Sequence, residues 1–298
     1  MNILFFGSTT DSVIVLEKLR SSRIVGIVTQ PPRPIGRDRI VTPTPVEVWG
    51  KAHNITVLSF ESNPDKPWLY KDEQQVIDTL QSIQADILIS ASYGQKIPWQ
   101  TIQKAPLGGI NVHPSILPRW RGADPVPWAI LSGDHQIGVT VVTLSETFDA
   151  GLILAQKKIP IKPTDTSLPL RTHLFKIGAE LLVASLDHLD LRGESLPAQA
   201  GLQGGKAEPY ARRLTRQDGF EPWMKIIDPL ESERIKRKFR AFHPWPGIWS
   251  TFQEKRIKIL GFSHEPTIVQ FEGKKPIGWK QIKNPAAEPA GYELKHDF

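Results

Sequence analysis

The chain has 298 residues, of which 40% are hydrophobic and 23% are charged, and its formal net charge at pH 7 is +6. This length is comfortable for two domains, each with a hydrophobic core of its own. No apolar run approaches the roughly 18–20 residues that cross a bilayer, and the lack of cysteine excludes disulfides, thiolate nucleophiles and sulfur-ligated zinc.

The N-terminal stretch MNILFFGSTTDS predicts no targeting segment. It contains no basic residue, and its apolar run is shorter than the core of a signal peptide. The lack of cysteine is also compatible with a reducing compartment, where disulfides do not form. We therefore expect a cytoplasmic protein.

The positive charge lies in the last third of the chain. Residues 1–205 contain 19 Lys and Arg and 19 Asp and Glu, whereas residues 206–298 contain 18 Lys and Arg and 12 Asp and Glu. A neutral body joined to a basic end favours an anionic partner such as nucleic acid. Excess charge also simply solvates a surface, and the composition leaves both interpretations open.

Strand-like and helix-like segments alternate through the first 191 residues. Apolar, β-branched runs predict strands, and these are NILFF (2–6), IVGIVT (24–29), ITVLS (55–59), DILISA (86–91), GGINVH (108–113), GVTVVTL (138–144) and LILAQKKIPI (152–161). Apolar residues at helical spacing lie between and after them, in segments 13–19, 72–83, 128–133 and 167–191. This alternation predicts an α/β domain with a doubly wound, mostly parallel, Rossmann-like sheet.

The rest of the chain has a different character. Residues 192–209 are rich in Gly, Pro and Ala without periodicity, which predicts a linker over 192–207. Beyond it, DPLESERIKRKFRAF (228–242) predicts an amphipathic helix, and short runs such as IKILGF and TIVQF predict strands. We therefore expect a catalytic domain over 1–191 and a small, basic, β-rich domain over 208–298.

The first strand-to-helix turn argues against a dinucleotide site. It reads FFGSTTDS, with one glycine where G-x-G-x-x-G requires three. Those glycines let the backbone approach the pyrophosphate closely, and Ser, Thr and Asp side chains would intrude there. A nicotinamide dehydrogenase is therefore disfavoured, although the fold is of the same general type.

The stretch NVHPSILPRWRG (111–122) holds the strongest candidates for chemistry. Asn111 and His113 are two residues apart at the end of an apolar run, so on a strand their side chains share a face. An amide N–H and an imidazolium N–H are suitable donors for a developing oxyanion, and Asp149 in SETFDAG is a suitable charge partner for the imidazolium. Taken singly, His113 is also compatible with an ordinary core histidine and Asp149 with a turn aspartate.

Together with their flanks, these residues resemble the folate-dependent formyltransferases. The shared element S-[LI]-L-P-x-x-R-G runs here from Ser115 to Gly122, with N-x-H before it and D-x-G after it. The resemblance extends over INVHPSILPRWRGADPVPWAI (110–130) and GVTVVTLSETFDAGLIL (138–154). The spacing of three elements is far more specific than any single pair of residues.

Other segments resemble one branch of that family, the methionyl-tRNA formyltransferases. They are the basic loop TQPPRPIGRDRIVTPTPVEV (29–48), SASYGQKIP (90–98), PYARRLTRQDGFEPW (209–223) and FRAFHPWPGIWS (239–250). The chain departs from the branch at FEPW (220–223), where an acidic-aromatic I-D-W is common, and over its last twenty residues. The resemblance implies that the C-terminal domain is OB-like and binds tRNA.

The resemblance also implies a reaction. The formyl donor is 10-formyltetrahydrofolate, and the α-amine of methionyl initiator tRNA attacks the formyl carbon, so no enzyme nucleophile is needed. Asn111 and protonated His113 stabilise the tetrahedral oxyanion, while Asp149 keeps His113 charged and helps relay the amine proton through water. No metal is expected, and the resemblance suggests a monomer.

Two further sets of residues follow from the resemblance. Candidate folate contacts are Ile89, Tyr93, Gly94, Gln95, Ile97, Ser115, Leu117 and Pro118. Candidate tRNA contacts are Arg37, Arg39, Arg212, Arg213, Lys236 and Lys238. A basic loop such as the one around Arg37 is also compatible with plain solvation, and Arg121 is either a ligand contact or a brace for the loop that holds His113.

Two other enzymatic functions use the same catalytic residues, and a third alternative is non-enzymatic. A formyltransferase acting on an amino-sugar nucleotide needs Asn111, His113 and Asp149 but not the basic tail. A formyl-folate hydrolase typically carries an added regulatory segment. A non-enzymatic RNA-binding relative is disfavoured because all three catalytic positions are filled.

Overall fold

The computed structural model describes residues 1–36, 38–192 and 208–283. Arg37, residues 193–207 and residues 284–298 lie outside the described part, so the prediction for Arg37 and almost all of the predicted linker fall outside it as well. The chain divides into two compact units. The first comprises Met1–Val126, His135–Lys162 and Pro169–Arg213, and the second comprises Pro127–Asp134, Pro163–Leu168 and the residues from Leu214 onwards.

The strands of the first unit follow the predicted apolar runs closely. In chain order they are β1 (Asn2–Gly7), β2 (Arg23–Thr29), β3 (Arg33–Ile35), β4 (Ile40–Thr42), β5 (Val57–Ser59), β6 (Ile87–Ala91), β7 (Gly109–His113), β8 (Arg121–Gly122), β9 (Gln136–Thr143), β10 (Ile153–Pro160) and β11 (Tyr210–Ala211). The short strands β3, β4, β8 and β11 were not predicted, because two or three residues carry too little periodicity to be recognised.

Within the described residues, seven of these strands form one sheet in the order β10-β9-β7-β6-β1-β2-β5. The pairs along β7, β6, β1, β2 and β5 are parallel, while β9 runs antiparallel to both β7 and β10. The central strands β1 and β6 are mostly apolar and almost completely buried, as a sheet covered on both faces requires. The predicted mostly parallel α/β sheet is confirmed.

The helices up to the end of α6 are, in chain order, α1 (Thr10–Lys18), α2 (Pro45–Ala52), α3 (Glu73–Leu80), α4 (Trp99–Lys104), α5 (Pro125–Ser132) and α6 (Ser167–Arg192). Most of α5 belongs to the second unit. Side-chain caps fix several of their beginnings, since Thr9, Thr44 and Asp72 each accept a backbone N–H of the first turn. In the part of the chain that the structure describes, no helix combines the length and the apolar character that a membrane span requires.

The second unit is small and rich in antiparallel strands, as predicted. Its further elements are α7 (Trp223–Ile227), α8 (Ser232–Phe242), β12 (Ile248–Phe252), β13 (Lys255–Phe262), β14 (Pro266–Phe271), β15 (Ile277–Gly278) and α9 (Trp279–Lys283). Its four strands pair in chain order, each antiparallel to the next. A core of Ile226, Ile235, Ile248, Ile257, Ile259, Val269 and Trp279 lies beneath them. Pro222, the unusual residue of FEPW, is the N-cap of α7 and does not lie within a strand.

Candidate active site

Strand β7 brings the first two candidate residues to the carboxyl edge of the parallel sheet. Asn111 pairs with Ser90 of β6 on one side and with Val142 of β9 on the other, and His113 pairs with Thr140. Ligands of open α/β sheets bind at this edge. The two side chains share a face of the strand, as their spacing predicts.

Both ring nitrogens of His113 lie near acceptors. Nδ1 is 3.3 Å from Oδ1 of Asp149, and Nε2 is 2.9 Å from the backbone oxygen of Trp120. A carboxylate and a carbonyl can only accept, so an imidazolium, which donates from both nitrogens, satisfies the two partners together. The ring is also shielded from water, with its side chain 5% exposed. The site therefore offers an acceptor to each ring nitrogen of His113.

Asp149 is the point on which the candidate residues converge. Its Oδ1 accepts from Nδ2 of Asn111 (3.2 Å) and faces His113, while Oδ2 accepts from the backbone N–H of Gly122 (3.0 Å). The aspartate has a left-handed backbone (φ 54°), a conformation that Asp tolerates better than most residues. Position 151 requires glycine, because a Cβ there would lie 1.9 Å from the backbone oxygen of Thr143. This close approach accounts for the D-x-G spacing.

The loop after β7 is fastened to the neighbouring strands. The hydroxyl of Thr140 donates to the backbone oxygen of Ser115 (2.7 Å) and accepts from the N–H of Leu117 (3.2 Å). Nε2 of Gln156 donates to the backbone oxygen of Leu117 (3.1 Å), and the Ser115 hydroxyl donates to the carbonyl of Arg119 (2.8 Å). Ser115 and Leu117, predicted as folate contacts, therefore also shape the loop that reaches Trp120.

Sequence reasoning missed the part that Trp120 and Gly122 play. Their backbone groups bind His113 and Asp149, and both residues have positive φ, 61° and 114°. A glycine in a left-handed position is a recognisable signal, but a tryptophan there is not. The R-G pair of the family element therefore marks a backbone hydrogen bond to the aspartate as well as a turn.

The predicted folate segment around β6 is largely buried. The side chains of Ile89, Tyr93, Gln95 and Ile97 are at most 6% exposed. The Tyr93 hydroxyl is 2.9 Å from that of Tyr70, and burial raises the pKa of both phenols, so both stay protonated. Gln95 donates to the Ser62 hydroxyl (3.2 Å). These side chains face the interior, so a ligand at this segment would meet mainly its backbone, including Gly94 with φ 89°.

Four of the predicted tRNA contacts are at least partly exposed, whereas a fifth, Lys238, is buried. Arg39 is exposed at the turn of the β3–β4 hairpin, and Arg212 and Arg213 are exposed directly after β11. Lys236 of α8 is partly exposed, with its ammonium 3.7 Å from Glu233. These four side chains lie on the surface of their units.

The prediction of a phosphate contact for Lys238 is corrected by the structure. Lys238 is 8% exposed, and its ammonium donates to the backbone oxygen of Phe220 and to Oε2 of Glu221, each at 2.7 Å. Arg234 also donates to Glu221, through both terminal guanidinium nitrogens. Lys238 thus holds the second unit together from inside. Its position in the run KRKFR did not reveal this, because the partner carboxylate lies 17 residues earlier.

Among the described residues, no group of three or more His, Cys, Asp or Glu is placed to hold a metal ion. The amide, imidazole and carboxylate of the site bond instead to one another and to backbone. Such a set can stabilise a developing negative charge and accept a proton.

Several known proteins are similar to this chain in sequence. The sequence model of a family described as formyl transferase matches residues 1–186, and that of the formyl transferase C-terminal domain matches residues 229–268. The chain is 38% identical to the methionyl-tRNA formyltransferase of Chloroflexus aurantiacus over 262 residues, which are 87% of this chain and 79% of that protein. It is 36% identical to the Listeria innocua protein of the same name over 266 residues, 89% of this chain and 80% of that protein.

Solved structures show the same fold. A sugar N-formyltransferase from a Shewanella species superposes with a TM-score of 0.63 at 18% identity, covering 88% of this chain and 98% of that one. HypX from Aquifex aeolicus, solved in complex with tetrahydrofolic acid, superposes with a TM-score of 0.53 at 18% identity, covering 87% and 37%. At these identities the likeness concerns the fold alone.

Proposed function

Since the chain belongs to the formyl transferase family, we propose that it transfers the formyl group of 10-formyltetrahydrofolate to the α-amino group of methionyl initiator tRNA. The convergence of Asn111 and His113 on Asp149 at the sheet edge carries the chemical part of this proposal. The acceptor follows from relatives named methionyl-tRNA formyltransferase that are 36–38% identical over 87–90% of the chain. With this activity the chain is a transferase that acts in translation initiation.

In the proposed reaction the amine nitrogen bonds to the formyl carbon, and the bond from that carbon to the folate nitrogen breaks. Negative charge develops on the formyl oxygen as the carbon becomes tetrahedral. One N–H of the Asn111 amide binds Asp149, and the other has no partner among the described residues, so it is the donor available to this oxygen. Preorganised donors of this kind act without reorganisation at the moment of reaction.

His113 contributes its positive charge at short range. Its Nε2–H donates to the Trp120 carbonyl in this structure and exchanges that acceptor for the oxyanion during the reaction. Asp149 keeps the ring charged and oriented. Through an intervening water it receives the proton that the attacking amine loses, and the same route delivers a proton to the folate nitrogen as its bond to the formyl carbon breaks. The nucleophile belongs to the substrate, in keeping with a chain that contains no cysteine.

The basic side chains suit the tRNA part of the substrate. Arg39, Arg212, Arg213 and Lys236 are the proposed phosphate contacts, and Arg37 joins them on the family resemblance. Such contacts make tRNA affinity fall steeply with added salt. Binding releases counterions condensed on the RNA, and this release is less favourable when the salt concentration of the solution is higher. We further infer a cytoplasmic monomer, the compartment from the place of translation and the monomer from the family resemblance.

The test is a formyl-transfer assay with the purified chain, 10-formyltetrahydrofolate and either methionyl initiator tRNA or an amino-sugar nucleotide. We expect formylation of the tRNA only. Formylation of the sugar only would overturn the proposed acceptor, and hydrolysis of the donor with neither acceptor formylated would indicate a formyl-folate hydrolase. In the same assay His113→Ala should lose transfer almost completely while it keeps tRNA affinity.

A further inference from the structure

The backbone of residues 120–122 orients the catalytic pair from one side. The carbonyl of Trp120 accepts from Nε2 of His113, and the N–H of Gly122 donates to Oδ2 of Asp149. The other contacts of these two side chains connect them to each other and, through Asp149, to Asn111. The positions of His113 and Asp149 therefore depend on where this short stretch of backbone lies.

That backbone is not in a relaxed conformation. Trp120 has φ 61°, in the left-handed region that bulky side chains avoid, and Gly122 has φ 114°. A bulky residue such as Trp120 persists in such a conformation only where the surrounding structure determines it. Something must therefore hold Trp120 and Gly122 in place.

Strand β11 lies directly against this stretch. The N–H of Trp120 donates to the carbonyl of Pro209 (3.0 Å), Tyr210 pairs with Arg121, and Ala211 pairs with Gly122. Just beyond, the N–H of Asp124 donates to the carbonyl of Ala211 (3.3 Å). Ala211 is completely buried, so the pairing excludes water from the backbone it holds.

Gly122 and β11 are matched in shape. A Cβ at residue 122 would lie 2.6 Å from the carbonyl oxygen of Ala211 and 2.8 Å from the phenol ring of Tyr210. The strand can therefore approach only because residue 122 has no side chain. Tyr210 covers this glycine while remaining 61% exposed, and burial together with the negative charge of Asp149 raises its pKa. The phenol thus lies close enough to the catalytic carboxylate to feel its charge.

We propose that β11 is a positioning element of the active site, which holds the backbone of Trp120 and Gly122 so that His113 and Asp149 keep their catalytic orientation. The proposal rests on the catalytic roles given above. It assigns a role in catalysis to a segment far from the N-x-H motif in sequence. Tyr210 and Ala211 are positioning residues, since they act through backbone groups that contact the catalytic side chains.

The experiment uses the full chain with Ala211→Pro, because proline lacks the N–H and the freedom that strand pairing needs. The matched control is Glu208→Pro, an exposed position before the strand. Amide exchange of Trp120 reports whether β11 has been released, and imidazole NMR reports the two ring N–H groups of His113. We expect rapid Trp120 exchange, loss of the Nε2–H signal and a fall in kcat of about tenfold or more, with KM for the folate donor nearly unchanged. The control should match the parent chain.

A second pair of variants keeps the proposal testable if Ala211→Pro does not fold. Tyr210→Ala uncovers Gly122 and should lower kcat by about three- to tenfold, whereas Tyr210→Phe keeps the ring and should restore the parent value. The proposal is overturned if His113 keeps both N–H signals and kcat stays within twofold of the parent after Trp120 has become exchangeable. It is equally overturned if Trp120 stays protected in Ala211→Pro or, failing that, in Tyr210→Ala. The NMR arm needs no substrate, so it remains informative even if methionyl-tRNA is not the acceptor.

Discussion

Each of the two units contains a nearly hidden carboxylate, and the two are held in opposite ways. The side chains of Asp149 and Glu221 are 8% and 7% exposed. Asp149 is held by an amide, an imidazole and a backbone N–H, at 3.2, 3.3 and 3.0 Å. Glu221 is held by the guanidinium of Arg234 and by the ammonium of Lys238.

The partners decide what each carboxylate can do. Arg and Lys keep their protons over the whole physiological range, so Glu221 never lacks a positive partner. Burial alone raises the pKa of Glu221, but hydrogen bonds from Arg234 and Lys238 outweigh it and leave the pKa below its usual value. Asp149 instead faces the imidazole of His113, a group that enzymes commonly use in proton transfer. Glu221 is therefore suited to stability and Asp149 to chemistry.

Replacing Asp149 by Asn should give the largest effect. The amide keeps the size of the side chain but removes the charge that stabilises imidazolium at His113 and accepts the amine proton. We expect kcat to fall about 10³-fold, equivalent to about 4 kcal/mol, with the melting temperature nearly unchanged. Steady-state formyl transfer at saturating donor measures it. A loss of less than tenfold would contradict the role given to this carboxylate.

Glu221→Ala should have the complementary phenotype. It leaves Arg234 and Lys238 without their buried partner, and breaking such a pair costs about 3 kcal/mol. Urea unfolding followed by tryptophan fluorescence should show this loss, while kcat of the folded protein stays within about twofold of the parent value.

Glu231→Ala is the matched control, because Glu231 also binds Arg234 but is 30% exposed. Its cost should stay below about 1 kcal/mol, as for exposed ion pairs. Equal costs for the two variants would show that burial does not set the strength of the Glu221 cluster.

Asn111→Ala tests the donor side of the catalytic region. Removing one oxyanion donor costs about 10²-fold in kcat, or about 2.7 kcal/mol. Because Asn111 donates to Asp149, the two variants should not be independent. We expect the double variant with Asp149→Asn to lose clearly less than the product of the single losses. Strict multiplicativity in single-turnover rates would show that the two side chains act separately.

The sheet and the candidate site at its edge could be predicted because most of their signals are local. Apolar β-branched runs define β1, β2, β6 and β7, and the spacing of Asn111 and His113 on a strand end places both on one face. Asp149 follows from the need for a charge partner and from the D-x-G motif. The structure brings the three together at 3.2 and 3.3 Å.

The elements that escaped prediction depend on partners distant in sequence. Lys238 looks like its basic neighbours in KRKFR, and only the fold shows that it points towards Glu221. Strand β11 has two residues, and its partner strand at Arg121–Gly122 lies almost ninety residues earlier in the sequence. Neither an inward-facing lysine nor a two-residue strand carries a period that a sequence pattern could reveal.

The smallest expected effect is a loss of stability of the second unit in acid, where Glu221 loses its charge. The pKa of Glu221 is lower in the folded state than in the unfolded chain, where it is about 4.3. A group of this kind contributes stability that is fully present above the unfolded pKa and is lost as the pH falls through the folded one. We therefore expect the free energy of unfolding of the second unit to decline below about pH 4.3, and Glu221→Gln to remove that part of the decline. Urea midpoints of parent and variant between neutral and acidic pH measure it.

The variant starts lower at neutral pH because the amide lacks the charge that Arg234 and Lys238 require, so the two curves should converge in acid. Curves that stay parallel would show that the charge of Glu221 does not support the second unit.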